Sequence, residues 1–163
     1  MDTAYLSHVP LLSSAIIVTS GPVLELGAGF GSTPLLHGLC GCSKRELLTL
    51  ESDGEWLKKF MNFGRSWHRF RSVDNFIDLP EYKQDWGLVF VDHGIAEQRG
   101  LSIRSLRHIP MIVVHDTCHP HLYDYEPTLS TFKYRWDWKL IGPMTTVVSN
   151  SVDVQQIFAG FCL

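Results

Sequence analysis

The sequence predicts an α/β fold: a doubly wound, mostly parallel seven-stranded sheet that ends in an antiparallel C-terminal hairpin. Two observations predict it. Short apolar runs alternate with longer amphipathic stretches, and the runs nearly free of polar residues suit parallel strands buried on both faces. Near the end, two strand-like runs are joined only by Gly142-Pro143-Met144, which is too short for a crossover helix, so that pair is expected to be antiparallel.

The elements follow in order. Residues 3–18 are expected to form a helix laid across the front of the domain, and residues 22–26 the first strand. A glycine turn comes next, then a short helix from Thr33 to about Leu39. Residues 46–51 give the second strand; Ser52 or Asp53 can cap a helix through Phe60, where Trp56, Leu57 and Phe60 recur at the helical period. Residues 67–73 form a weaker third strand and residues 86–91 a strong fourth that runs into Asp92. An amphipathic helix over residues 96–108 is stopped by Pro110, and residues 111–114 are the fifth strand. Residues 136–141 and 145–149 make the hairpin.

No repeat or low-complexity linker interrupts this order, and 163 residues can bury one core, so a single domain is expected, with residues 1–20 as an N-terminal helical segment and 21–163 as the core. A composition of 45% hydrophobic and 19% charged residues is that of an ordinary globular protein. The net charge of −3 offers no general attraction to nucleic acid or anionic membranes, and Arg65, Arg69 and Arg71 are expected on a solvated face. Cys40, Cys42, Cys118 and Cys162 lack the spacing of a zinc knuckle and are expected as free thiols. The run from 11 to 18 is too short to span a bilayer and has no flanks of a secretory signal, so a cytoplasmic location is expected. A homodimer is left open.

The turn Glu25-Leu26-Gly27-Ala28-Gly29-Phe30-Gly31 has the strand–turn–helix setting of a nucleotide cradle. The dinucleotide fingerprint requires Gly-x-Gly-x-x-Gly, but position 32 is serine, and a carboxylate at Glu25 would repel a pyrophosphate. The same carboxylate suits a cationic ligand end, such as the ammonium of an amino acid. Glu51, twenty residues past Gly31, closes the second strand where an acid can accept both ribose hydroxyls. Charge preference therefore favours S-adenosylmethionine over a nicotinamide dinucleotide.

The stretch Val23-Leu24-Glu25-Leu26-Gly27-Ala28-Gly29-Phe30-Gly31 resembles the first motif of the class I S-adenosylmethionine-dependent methyltransferases, and the resemblance runs from Val23 to about Ser149. It implies a Rossmann-like methyltransferase fold. It also implies that Glu25 and the turn at Gly27, Ala28, Gly29, Gly31 and Ser32 hold the methionine part of the cofactor. Glu51 with Ser52 would hold the ribose, and Asp74 or Asn75, at the end of the third strand, would meet the adenine. Leu24 and Leu26 are packing positions.

Two strand ends are unusually polar: Val91-Asp92-His93-Gly94 and Val114-His115-Asp116-Thr117. Ligands of open α/β sheets sit outside the carboxyl ends of the strands, so these positions are candidates for chemistry, with helix capping by Asp92 and Asp116 as the plainer alternative. Two mechanisms compete. In one, Asp92, His115 and Asp116 bind a divalent metal (magnesium, manganese or cobalt, with zinc also open) that activates a hydroxyl. This resembles the metal-dependent sugar and catechol O-methyltransferases, from which His115-Asp116 departs, since those carry Asp-Asp or Asp-Asn there. In the other, His93 or His115 is a general base oriented by Asp92 or Asp116. His119 and His121 are weaker candidate ligands, and Arg99 is expected on a helix surface.

Asp92-His93-Gly94-Ile95 stands where amino-methylating members of the family carry Asn/Asp-Pro-Pro-Tyr/Phe, which argues against nucleic-acid bases and amide nitrogens as acceptors. The expected function is O-methylation of a small-molecule or sugar-like acceptor. A non-catalytic cofactor-binding or scaffold subunit and a nicotinamide-dependent oxidoreductase are the alternatives.

Overall fold

The computed structural model describes residues 6–118, 123 and 125–161. Seven strands, β1 Val23–Leu26, β2 Leu47–Glu51, β3 His68–Ser72, β4 Leu88–Val91, β5 Ile112–Val114, β6 Tyr134–Trp138 and β7 Thr145–Ser149, form one sheet of order β3-β2-β1-β4-β5-β7-β6. The first five pair in parallel; β7 runs antiparallel to both β5 and β6. The chain winds outward from β1 to β3, then returns to β4 on the other side of β1. Crevices for ligands open at such reversals.

Six α-helices are described: α1 Val9–Val18, α2 Ser32–Ser43, α3 Gly54–Lys58, α4 Ala96–Ser105, α5 Glu126–Leu129 and α6 Val154–Phe158. Several bounds differ from those expected. α1 begins at Val9 with Pro10 in its first turn, where a missing N–H costs nothing. Its expected residues 3–5 lie outside the described residues. α2 runs past Leu39 to Ser43 in spite of Gly41. At Gly41 a Cβ would stand 2.9 Å from the Trp67 ring, so close packing rather than a helix end explains that glycine. α3 stops at Lys58 and α4 at Ser105, each followed by tighter turns. β6 covers 134–138 rather than 136–141. The Trp138–Thr145 pairing closes the hairpin, and Leu140 and Ile141, apolar enough to read as strand, are exposed in the loop.

Successive strand residues point to opposite faces. Val23, Leu47, Leu88, Phe90, Val113 and Val147 pack under α1, α2 and α6. Leu24, Leu26, Leu48, Leu50, Val89, Val91, Ile112, Val114 and Val148 pack on the other side with Ile103 of α4, Leu129 of α5 and the connection carrying Phe76, Tyr82 and Trp86. Burying each such side chain is worth about 1.5–3 kcal/mol. The same alternation decides which polar residues meet at the strand ends. Among the described residues no helix is long and apolar enough to cross a membrane.

Candidate functional site

A cleft of about 430 Å³ opens at the carboxyl ends of the central strands. Its walls are Ala28, Gly29 and Phe30 after β1, Glu51 and Asp53 after β2, Trp56 on α3, Asp92 and Gly94 after β4, His115 and Asp116 after β5, and Pro143 from the β6–β7 loop. This volume lies within the range of small-molecule and cofactor sites.

One wall is built from the turn. Gly27 has φ +97°, and a Cβ there would stand 2.5 Å from the carbonyl oxygen of Asp92 and 2.6 Å from Cα of His93. Only glycine lets the turn pass this close to the end of β4. The Gly27 N–H donates to Leu50 at 2.8 Å, Ala28 to the Glu51 carboxylate at 2.9 Å, and Gly29 to the Thr33 hydroxyl at 3.0 Å. These three amides are therefore satisfied within the protein, which sets the loop's shape. Glu51 also accepts from the N–H of Ser52 at 2.7 Å and of Asp53 at 2.9 Å, so its carboxylate is fixed in orientation at the cleft. Asp53 caps α3, accepting from Glu55 and Trp56, and the Trp56 indole donates to the Ala28 carbonyl at 2.7 Å. Phe30, 56% exposed, meets Trp56 edge-on at 5.2 Å and forms an aromatic lip.

Glu25 lies behind that wall. It is wholly buried, and its carboxylate accepts from the hydroxyls of Thr33 at 3.0 Å and Thr49 at 2.6 Å. Burial pushes its pKa up to about 7, against the opposing pull of those hydrogen bonds. Thr49, having donated to Glu25, accepts from Nε2 of His68 at 3.0 Å. Nδ1 of His68 then accepts from Nδ1 of the partly exposed His37, also at 3.0 Å.

The opposite wall is a charged cluster. Asp92 divides its oxygens: Oδ1 accepts from Arg99 at 3.2 Å, and Oδ2 lies 3.2 Å from Nδ1 of His115. Burial alone would raise Asp92, but the hydrogen bond and charge of His115, with Arg99, hold it below the usual carboxylate range. Burial likewise would lower His115, yet Asp92 and then Asp116 outweigh it and raise the imidazole. Asp116 adopts φ +60°, a left-handed conformation that aspartate tolerates better than most residues. It lies 3.7 Å from Arg99 and 3.5 Å from His115. Arg99 is only 4% exposed and also donates to the Tyr125 hydroxyl at 2.6 Å and the His93 carbonyl. It is thus a buried clamp, not the surface residue expected, because α4 packs its side chain against the ends of β4 and β5.

The structure brings Ala28, Gly29, Glu51, Asp92, His115 and Asp116 together at one cleft. His93 does not join them. One residue past Asp92, it falls on the opposite face of the sheet, stacked on Phe76 at 3.9 Å with Nε2 3.2 Å from the Ser102 hydroxyl. Asp74 and Asn75 line a neighbouring hollow with Arg71 and Ile77 instead. Ser32 is buried in the first turn of α2, and Ser52 is engaged through its N–H with Glu51. His119 and His121 lie outside the described residues. Sequence reasoning missed Ser7 and His8, which reach the cluster from ahead of α1, with Ser7 Oγ 2.8 Å from Nε2 of His115. A polar Ser-His pair directly before an apolar helix was the available signal.

No family model and no curated protein matches the sequence. Solved structures do match. The chain is similar to the S-adenosylhomocysteine-bound methyltransferase PaMTH1 from Podospora anserina, at 12% identity and a TM-score of 0.61 over 88% of this chain and 76% of that one. It is similar to the N-methyltransferase NodS from Bradyrhizobium japonicum WM9 in complex with S-adenosyl-L-homocysteine, at 14% identity and a TM-score of 0.60 over 86% and 83%. An S-adenosylmethionine-dependent methyltransferase from Mesorhizobium loti matches at 14% identity and a TM-score of 0.50 over 67% of this chain. This chain spans about half of that protein's length (53%), and the same share of a matched Haloferax volcanii chain. At these identities the likeness is one of fold: the chain has the Rossmann-like fold of the class I S-adenosylmethionine-dependent methyltransferases.

Proposed function

We propose that the protein is an S-adenosylmethionine-dependent methyltransferase acting on a hydroxyl of a small-molecule or sugar-like acceptor. The observation that carries this reading is the two-sided cleft. The Gly27–Gly29 turn and the oriented Glu51 carboxylate stand on one side, and the Asp92–His115 pair on the other. The first side suits the ribose and methionine parts of the cofactor. The second suits a hydroxyl that must lose its proton as it attacks.

S-adenosylmethionine, held along the first wall by the Gly27–Gly29 turn and Glu51, would supply its sulfonium methyl group to the acceptor oxygen, the carbon–sulfur bond breaking and S-adenosylhomocysteine leaving as a neutral thioether. The hydroxyl proton passes to the Asp92–His115 pair. Alignment of the two reactants supplies much of the acceleration. The role of Glu25 is indirect in this reading: buried behind the turn, it fixes Thr33 and Thr49, and with its pKa raised to about 7 it places negative charge beneath the site for the methionine ammonium only once it ionises.

NodS, a fold neighbour, is an N-methyltransferase, so the choice of oxygen rests on this chain's own residues. Asp92-His93-Gly94-Ile95 follows β4, and a proton-accepting pair faces the cleft. Calorimetry with S-adenosylhomocysteine should give saturable one-to-one binding that weakens about tenfold or more in Glu51→Gln. Turnover of a panel of hydroxyl and amine acceptors should release S-adenosylhomocysteine only with hydroxyls. Absence of cofactor binding overturns the reading as a whole, and turnover confined to amines overturns the choice of oxygen.

A further inference from the structure

His8 is 2% exposed, and among the described residues neither of its ring nitrogens has a hydrogen-bond partner. Each buried polar group left unmet costs about 1–3 kcal/mol, so packing alone is a poor account of a histidine there. Its ring stands 5.0 Å from Phe90 and edge-on to His115 at 4.7 Å. One donor atom from each of His8, Asp92 and His115 lies within 4.8 Å of the others. All three arise on the α1 face of the sheet, since Asp92 and His115 continue the parity of Phe90 and Val113.

The local bonding fits a ligand set. Two ligands bound tetrahedrally at ~2.0 Å stand about 3.3 Å apart, close to the 3.2 Å between Asp92 Oδ2 and His115 Nδ1. Ser7 Oγ, 2.8 Å from Nε2 of His115, is positioned to accept that nitrogen's proton, as outer partners of ligating imidazoles do. Arg99 occupies the other oxygen of Asp92, and Asp116, 3.7 Å from the guanidinium, offsets its charge.

We propose that His8, Asp92 and His115 form a binding site for one borderline divalent transition-metal ion of the zinc or cobalt class, with His8 delivered by the segment ahead of α1. Two imidazoles and one carboxylate select such an ion over magnesium, which prefers oxygen ligands alone. Three protein ligands leave a coordination position free, and an ion there would lower the pKa of a hydroxyl brought to it from the cleft, whose proton would then leave to solvent and not to the Asp92–His115 pair. Asp116, 3.5 Å from Nδ1 of His115 and 3.7 Å from Arg99, is placed as a charge partner of both, with His8 as the third ligand. The ion's role in the reaction rests on the methyltransferase reading; its binding does not.

The full chain, stripped with a chelator, is titrated with cobalt(II) and separately with zinc, and S-adenosylhomocysteine binding is measured on the same samples. One equivalent of cobalt should bind with the visible bands of a low-coordinate ion, and zinc should displace it while excess magnesium does not. The His8 ring-proton resonances should shift on cobalt addition. His8→Gln should weaken metal binding about tenfold or more, and Asp116→Asn should leave it within about threefold. Lack of stoichiometric binding, unshifted His8 resonances, or an Asp116→Asn loss equal to that of His8→Gln overturns the site. Cofactor binding without metal binding sinks the metal site alone; metal binding without cofactor binding sinks the methyltransferase reading alone.

Discussion

The two walls of the cleft are built differently. The wall after β1 and β2 is backbone: a glycine held at positive φ, amides bonded to Leu50, Glu51 and Thr33, and a carboxylate oriented by three N–H groups. The wall after β4 and β5 is side-chain charge. Asp92, Arg99, His115 and Asp116 are held by one another, with Tyr125 and Ser7 completing their bonds. A backbone wall tolerates only the residues its shape allows. A charge wall tolerates only changes that keep its charges paired, and it can move protons because its groups titrate.

The largest expected effect breaks the charge wall. Arg99→Met strands Asp92 and Asp116 beside a buried apolar side chain, and removing one partner of a buried pair should cost about 4 kcal/mol. An unfolding free energy, measured in urea, lowered by less than about 1 kcal/mol would show that the cluster is not what holds this wall. Gly27→Ala is the matching test of the backbone wall. Positive φ and a Cβ 2.5 Å from the Asp92 carbonyl predict a loss of about 3 kcal/mol, with cofactor binding lost as the turn shifts. Wild-type stability and affinity in that variant would mean that the turn has room to spare.

Glu25 sharpens the comparison through pH. Its pKa rises from the ordinary 4.5 to about 7, so between those values the folded protein keeps a proton that the unfolded chain has released. Stability from this group therefore falls by about 3 kcal/mol as pH climbs from 4.5 to 7 and is level above. His68, held down to about 3 by burial, acts in the opposite sense below its unfolded value of 6.5. The difference between wild type and Glu25→Gln isolates the carboxylate: the gap in stability should grow across this window in favour of the amide, and parallel curves would refute the assignment. The smallest effect is expected at Phe30→Ala. This exposed lip should lose about fivefold in cofactor affinity, near 1 kcal/mol, with the melting temperature nearly unchanged.

Much of the fold was legible in the sequence because its signals are local. Seven runs of strand length, the third of them weaker, a glycine turn and a short C-terminal connection are each contained within a few residues. The ends of elements were less legible. β6 begins at Tyr134 because pairing with β7 sets its register, which the apolar Leu140 and Ile141 do not reveal. On the backbone wall, Glu25, Gly27, Gly29 and Glu51 stood out from spacing alone, although spacing did not show that Glu25 lies behind the turn, 0% exposed. His93 could have been separated from Asp92 by strand parity, since adjacent residues leave a strand on opposite faces.

The sequence by itself determined the alternation of strands and helices, the glycine turn, and the acids and imidazoles at the ends of β4 and β5. These follow from periodicity and backbone chemistry within one stretch of chain. Tertiary structure decided which of those groups meet. Residues from four separate segments (Ser7 and His8, Asp92, Arg99, and His115 with Asp116) converge on one floor. The sheet order sets β4 between β1 and β5, and α1 lies across the face that carries Asp92 and His115. Proximity across a hundred residues is a property of packing and topology, and for that reason the place of His8 beside Asp92 and His115 became visible only in the folded chain.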